Sequence, residues 1–144
     1  MIVVNHISKS FDEHVVLKDI SANFEEGKTN LIIGRSGSGK TVLVKCIIGL
    51  HEVDEGSILY HDRNLVEMDL KQRQSLRREM GKLFQGSALF DSLTVEENIK
   101  FPLDMFTSMS EKEKINRVNF CLERVSLENV NLLYPAELSG GMQK

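Results

Sequence analysis

Apolar and polar residues alternate weakly over Ile2 to Ile7 and again within Val15 to Phe24, which predicts two β-strands. Glu25-Glu26-Gly27-Lys28 follows as a turn. Asn30-Leu31-Ile32-Ile33 is a short apolar run stopped by Gly34, the pattern of a buried strand entering a loop. From Thr41 to Leu50 the period lengthens. Leu43, Val44, Ile47 and Ile48 fall on one helical face, with Gly49 near the C-terminus. Asp54-Glu55-Gly56 reads as a turn feeding a strand from Ser57 to Tyr60. Asp69 can cap a polar helix reaching about Met80, and Gly81 to Gln85 reads as another short strand.

Two capping boxes come next. Thr94-x-x-Glu97 opens a short helix that Pro102 is expected to limit. Ser110-x-x-Glu113 opens a longer one, with Ile115, Val118, Leu122 and Val125 as core positions on one face. Leu138-Ser139-Gly140-Gly141 reads as a loop handing over to a helix, with Ser139 as its N-cap. Strands and helices interleave without a repeat, a low-complexity tract or an obvious linker, so the class is α/β.

The 144 residues suit one ordinary domain, and 41% apolar with 27% charged residues is globular composition. Eighteen basic against 21 acidic residues leave −3, so no global basic surface argues for nucleic acid. No run of 18 apolar residues offers a membrane span. The first residues lack the charged and apolar regions of a signal peptide. Cys46 and Cys121 stand far apart in apolar surroundings, as reduced core thiols do. His6, His14, His51 and His61 form no ligand spacing and are assigned no chemistry.

The strongest chemical signal is LIIGRSGSGKT. It contains G-x-x-x-x-G-K-[ST], filled by Gly34, Gly39, Lys40 and Thr41, between an apolar strand and an amphipathic helix. Glycines let the backbone curl with its N–H groups inward, where a side chain would block a phosphate. The helix N-terminus adds partial positive charge. Lys40 can reach the β- and γ-phosphates, and the Thr41 hydroxyl can ligand Mg²⁺. The pattern arises by chance in roughly one chain in a few hundred of this length, and the strand–helix context makes chance rarer still. The motif predicts nucleoside triphosphate binding but does not choose among kinases, GTPases, helicases and transport motors.

Other segments choose. ISKSFDEHVVLKDISANFEEGKTNLIIGRSGSGKT, EGSILYHDRNL, GKLFQGSALFDSLTVEENI and ELSGGMQK, in that order and at these spacings, resemble the nucleotide-binding domain of ABC transporters over essentially the whole chain. The resemblance implies an α/β P-loop NTPase fold of ABC type. Its parts would be an antiparallel β subdomain, a partial parallel core sheet and a helical, signature-bearing subdomain over approximately 86–144. It also implies site residues. Phe11 would stack on adenine with Val16 nearby. Gly34, Arg35, Ser36, Gly37, Ser38, Gly39, Lys40, Thr41 and Val42 would hold the phosphates, with Thr41 and Gln85 on Mg²⁺. Gln85, as the Q-loop residue, would position water and couple to a membrane subunit. Ser139, Gly140 and Gly141 would grip the γ-phosphate of ATP bound by a second, head-to-tail subunit. The commoner signature reads LSGGQ; Met142 stands where the Gln would be, so any contact of that Gln side chain is in doubt.

A narrower resemblance lies in FQGSALFDSLTVEENIKFPL and PAELSGGM, which look like the ATPase of Mla-type, MCE-associated phospholipid transporters. It implies a transmembrane permease, an MCE-type lipid-binding protein, and a place on the cytoplasmic face of a bacterial inner membrane. In the family, the Walker B Asp, the catalytic Glu and the switch His follow the signature at a distance, beyond Lys144. The expectation is that residues 1–144 alone bind Mg-ATP without turning it over at a meaningful rate, since Gln85 is no strong general base.

Overall fold

A computed structural model describes residues 1–84, 86 and 88–144. The chain divides into two compact units, Met1–Gly81 and Lys82–Lys144.

The first unit is built on β1 (Ile2–Phe11), β2 (His14–Phe24), β3 (Glu55–Tyr60) and β4 (Arg63–Asn64), in the order β2-β1-β3-β4. Every pairing is antiparallel. The weak alternation of β1 has a cause. Val4 and Ile7, three residues apart, are both fully buried, which a strict two-residue period forbids. A register shift between them, with His6 at φ 48°, turns Ile7 back toward the core. On this sheet pack α1 (Lys40–Ile47), which contributes Leu43, Cys46 and Ile47, and Leu76 of α2 (Leu70–Arg78). Asp69 caps α2, accepting from the Gln72 N–H at 2.8 Å while the Gln72 side chain accepts from the Asp69 N–H. Tyr60 closes the core with a buried hydroxyl donated to the Ile47 carbonyl at 2.7 Å. Burial pushes this phenol up to about 12.

The second unit holds α3 (Val95–Phe106), α4 (Glu111–Arg124) and a 3₁₀ turn at Pro135–Glu137. Both capping boxes form: Thr94 and Ser110 accept from the N–H groups of Glu97 and Glu113, whose carboxylates take the cap N–H groups in return. Val95, Val118, Leu122, Val130 and Leu138 make its core. Lys114, 12% exposed at its side chain, joins Asp104 at 2.6 Å and Glu111 at 3.0 Å, tying the two helices at their junction.

Four expectations give way. Residues 30–33 and 81–84 form no strand, and among the described residues no parallel pairing exists, so the expected partial parallel core sheet is not formed here. A strand needs a ladder partner, and neither segment has one; Leu31 and Ile33 are 79% and 82% exposed despite their apolarity. Pro102 sits inside α3 and does not end it, because the helix continues to Phe106 and closes with the Thr107 N–H on the Leu103 carbonyl at 3.0 Å. The missing Pro102 N–H removes one bond from a helix anchored by its cap and by Val95. Finally, Ile115 and Val125 are exposed, so α4 buries only Val118 and Leu122. Its apolar face is wider than the core it covers.

Candidate functional site

The glycine loop enters α1 with Gly39 as N-cap at φ 86°, in the left-handed region. A Cβ there would lie 3.0 Å from Leu17 Cδ2 and 3.1 Å from the Val16 carbonyl oxygen, so the space is tight and the left-handed dihedral favours glycine. Val16, expected near a base, thus also backs the loop itself. At Gly34 a Cβ would meet Ser38 Oγ at 2.7 Å. No side chain caps α1 and no acidic residue lies in its first turn. Its leading N–H groups and positive end are the donor set an anion requires.

Lys40 completes that set. Its ammonium donates to the Gly34 and Arg35 carbonyls at 2.8 and 2.7 Å, curled over the loop. Thr41, the expected Mg²⁺ ligand, is exposed at the helix start. Arg35, Ser36, Gly37 and Ser38 are exposed around the loop, whose turn is closed by the Ser38 N–H on the Arg35 carbonyl at 3.2 Å. A polyphosphate fits these groups: glycines where bulk cannot go, a lysine within reach and a helix end without a competing acid. Gln85 lies outside the described residues. Among those described, no three His, Cys, Asp or Glu converge on a metal position.

Phe11 ends β1 at the hairpin tip, 39% exposed. It is not loose. His51 meets its ring edge-to-face, with centroids 5.2 Å apart at 74°, and Lys9 Nζ lies over it at 5.4 Å. Sequence reading assigned His51 nothing. The 39 residues between it and Phe11 hide the contact, which exists only once α1 is packed on the hairpin.

In the second unit, the expected helix after Ser139 is a turn over 140–143, and Ser139 caps that turn. Its Oγ accepts from the Met142 N–H at 3.4 Å and its carbonyl from the Gln143 N–H at 3.1 Å. Met142 packs against the core of this unit. Gln143, not singled out by motif, donates its side-chain amide to the Pro135 and Leu138 carbonyls at 2.7 and 3.3 Å, fastening the turn before Ser139. A Cβ on Gly140 or Gly141 would meet nothing within 4 Å. The structure therefore gathers Phe11, Val16 and residues 34–42 in one unit and Ser139 to Gly141 in the other.

The ABC transporter family profile matches residues 17–144. The chain is 37% identical over 145 residues to the methionine import ATP-binding protein MetN of Clostridium tetani, covering 100% of this chain and 45% of that protein. It is 35% identical over 143 residues to the probable ribonucleotide transport ATP-binding protein mkl of Mycobacterium leprae, covering 99% of this chain and 40% of the relative. Among solved structures, the dimeric bacterial ABC transporter cassette MJ0796 aligns with a TM-score of 0.87 at 31% identity, covering 99% of this chain and 65% of that one. Another structure of the same cassette, in a post-hydrolysis state bound to ADP and Pi, aligns with a TM-score of 0.86. The chain spans less than half the length of these two relatives.

Proposed function

The chain belongs to the ABC transporter family, and from that membership and the loop geometry we propose that it binds Mg-ATP as the ATP-binding subunit of a transporter. Domains of this family bind ATP with Mg²⁺ and hydrolyse it. The observation that carries the reading is the helix N-terminus at Gly39, with Lys40 poised over the loop and no acid in the first turn. Residues 34–42 would hold the phosphates and Phe11 the base. Thr41 and Gln85 would hold Mg²⁺, whose charge neutralises the β- and γ-phosphate oxygens when bound. Gln85 would also position the attacking water. The whole protein would hydrolyse ATP as a head-to-tail dimer, with Ser139, Gly140 and Gly141 of each copy serving the other's nucleotide. The open space at both signature glycines supports that role. Calorimetric titration with Mg-ATP tests the binding: micromolar-range affinity in the full protein that collapses in Lys40→Ala is expected, and equal affinities would overturn it.

The partners follow: a second copy and a transmembrane permease, on the cytoplasmic face of a bacterial inner membrane. No helix among the described residues is long and apolar enough to cross a membrane. For cargo, we infer phospholipid with an MCE-type lipid-binding partner, on the resemblance of residues 84–103 and 135–142 to Mla-type ATPases. A solute importer is the second reading, favoured by relatives named for methionine and for sulfate/thiosulfate import. Reconstituted complex supplied with labelled phospholipid or labelled methionine separates the two. ATP-dependent movement of methionine alone would remove the lipid reading.

A further inference from the structure

We propose that His51 is a positioning residue for nucleotide binding: it sets the ring of Phe11, so that α1 governs the base platform at one end and the phosphate loop at the other. The proposal rests on the reading of Phe11 as that platform. Three observations carry it. First, an aromatic ring 39% exposed at a hairpin tip has no reason to hold one orientation unless neighbours impose it, and His51 meets it edge-to-face at 5.2 Å. Second, His51 is itself fixed. Its N–H donates to the Lys45 carbonyl at 3.2 Å, and the α1 C-terminus is anchored by the Tyr60 hydroxyl on Ile47. Third, the segment after His51 is tied to the same hairpin. Asp54 takes Lys9 Nζ at 2.7 Å and the Ser10 N–H at 2.6 Å, while its own N–H donates to the Ser8 carbonyl at 2.9 Å. Lys9 is thereby held over the Phe11 ring.

The hairpin therefore touches α1 at two places: Val16 and Leu17 back Gly39 where the helix starts, and Phe11 meets His51 just past where it ends. Eight residues of helix, about 12 Å, make up most of the interval, and the turn over 48–50 that completes it is bonded back to the α1 carbonyls of Val44, Cys46 and Lys45. Because that rod is rigid, the separation of base platform and phosphate loop is fixed by one element. The proposal predicts that loss of the His51 ring weakens recognition of the base and leaves recognition of the phosphates intact.

The experiment compares Mg-ATP with inorganic Mg-tripolyphosphate, which lacks a base, on the full protein. Lys40→Ala should weaken both ligands, and Phe11→Ala should weaken ATP alone. His51→Ala should weaken ATP by about two- to tenfold with tripolyphosphate unchanged. His51→Phe, which keeps a ring at the contact, should restore most of the ATP affinity. Tripolyphosphate binding doubles as the check that each variant is folded. If His51→Ala loses both ligands equally, or neither, while Phe11→Ala is selective, the positioning role is wrong and the platform reading stands. If Phe11→Ala is silent, the platform reading falls, and the His51 role falls with it. If Lys40→Ala is silent, the phosphate-loop reading itself fails.

Discussion

Two glycine-bearing segments, one leading into α1 and one forming the turn over 140–143, are used by this chain in opposite ways. In the loop over 34–39 two of the three glycines, Gly34 and Gly39, answer to the chain's own atoms, while Gly37 meets nothing within 4 Å and has a left-handed backbone at φ 78°. Gly39 has a left-handed backbone and lies against the Val16 carbonyl, and Gly34 lies against Ser38. In the turn over 139–142 the glycines answer to nothing inside. Neither Gly140 nor Gly141 has a neighbour within 4 Å of where a Cβ would stand, and neither has a positive φ. The α1 start has no side-chain cap, whereas the turn over 140–143 has Ser139. A glycine kept where the fold would accept alanine lowers stability slightly, so its use is to be sought outside the unit. The contrast teaches that a glycine motif serves a close approach by something, and the packing says whether that something is the chain itself.

The largest effect that probes the contrast is Lys40→Ala, which removes a charged donor from the proposed phosphate site. Titration calorimetry should show a loss of roughly 10- to 100-fold in Mg-ATP affinity. Next, Gly39→Ala should destabilise the protein by about 2–4 kcal/mol through left-handed strain and the Val16 clash, read as a lower urea midpoint. Gly141→Ala should leave that midpoint unchanged or raise stability by about 0.4–1 kcal/mol, while hydrolysis by the full dimeric protein falls. Equal destabilisation by the two substitutions would erase the distinction. Thr94→Ala should cost about 1 kcal/mol through its capping box. The smallest effect is on pH. The Thr94 N–H and hydroxyl bonds hold Glu97 below the usual carboxylate range, and the Ser110 hydroxyl and N–H do the same for Glu113. Groups depressed on folding stabilise above their unfolded value. The contribution should therefore be full at neutral pH and fade as pH falls below about 4.5 through the folded values. Equilibrium unfolding of wild type and Glu97→Gln at pH 7 and pH 3.5 should show the difference between them shrink in acid.

What was legible in the residues was what is decided locally. The capping pairs at 94/97 and 110/113 form, because three-residue spacing fixes both partners on one turn, and the Asp69 cap forms with Gln72 completing a box that sequence reading does not name. The glycine loop and α1 were legible for the same reason. Less so was anything needing a distant partner. Leu31 and Ile33 have the composition of strand residues, yet a strand is a relation between segments and theirs has no ladder. Ile115 and Val125 fit the helical period but lie beyond the small core that α4 covers. The partnership of Phe11 and His51 leaves no trace in spacing, since it is made by the packing of helix on hairpin.

The grip of Lys40 on two carbonyls makes full capture of a ligand partly an exchange. Of the three protons on its ammonium, two are spent on Gly34 and Arg35, so an anion that takes more than one must displace the loop's own oxygens. A lone phosphate offers little beyond what those carbonyls supply. A chain of phosphates, bound also by the amides of the helix start, offers several contacts at once for the same displacement. On the proposed reading, the lysine would therefore favour a polyphosphate over a single anion.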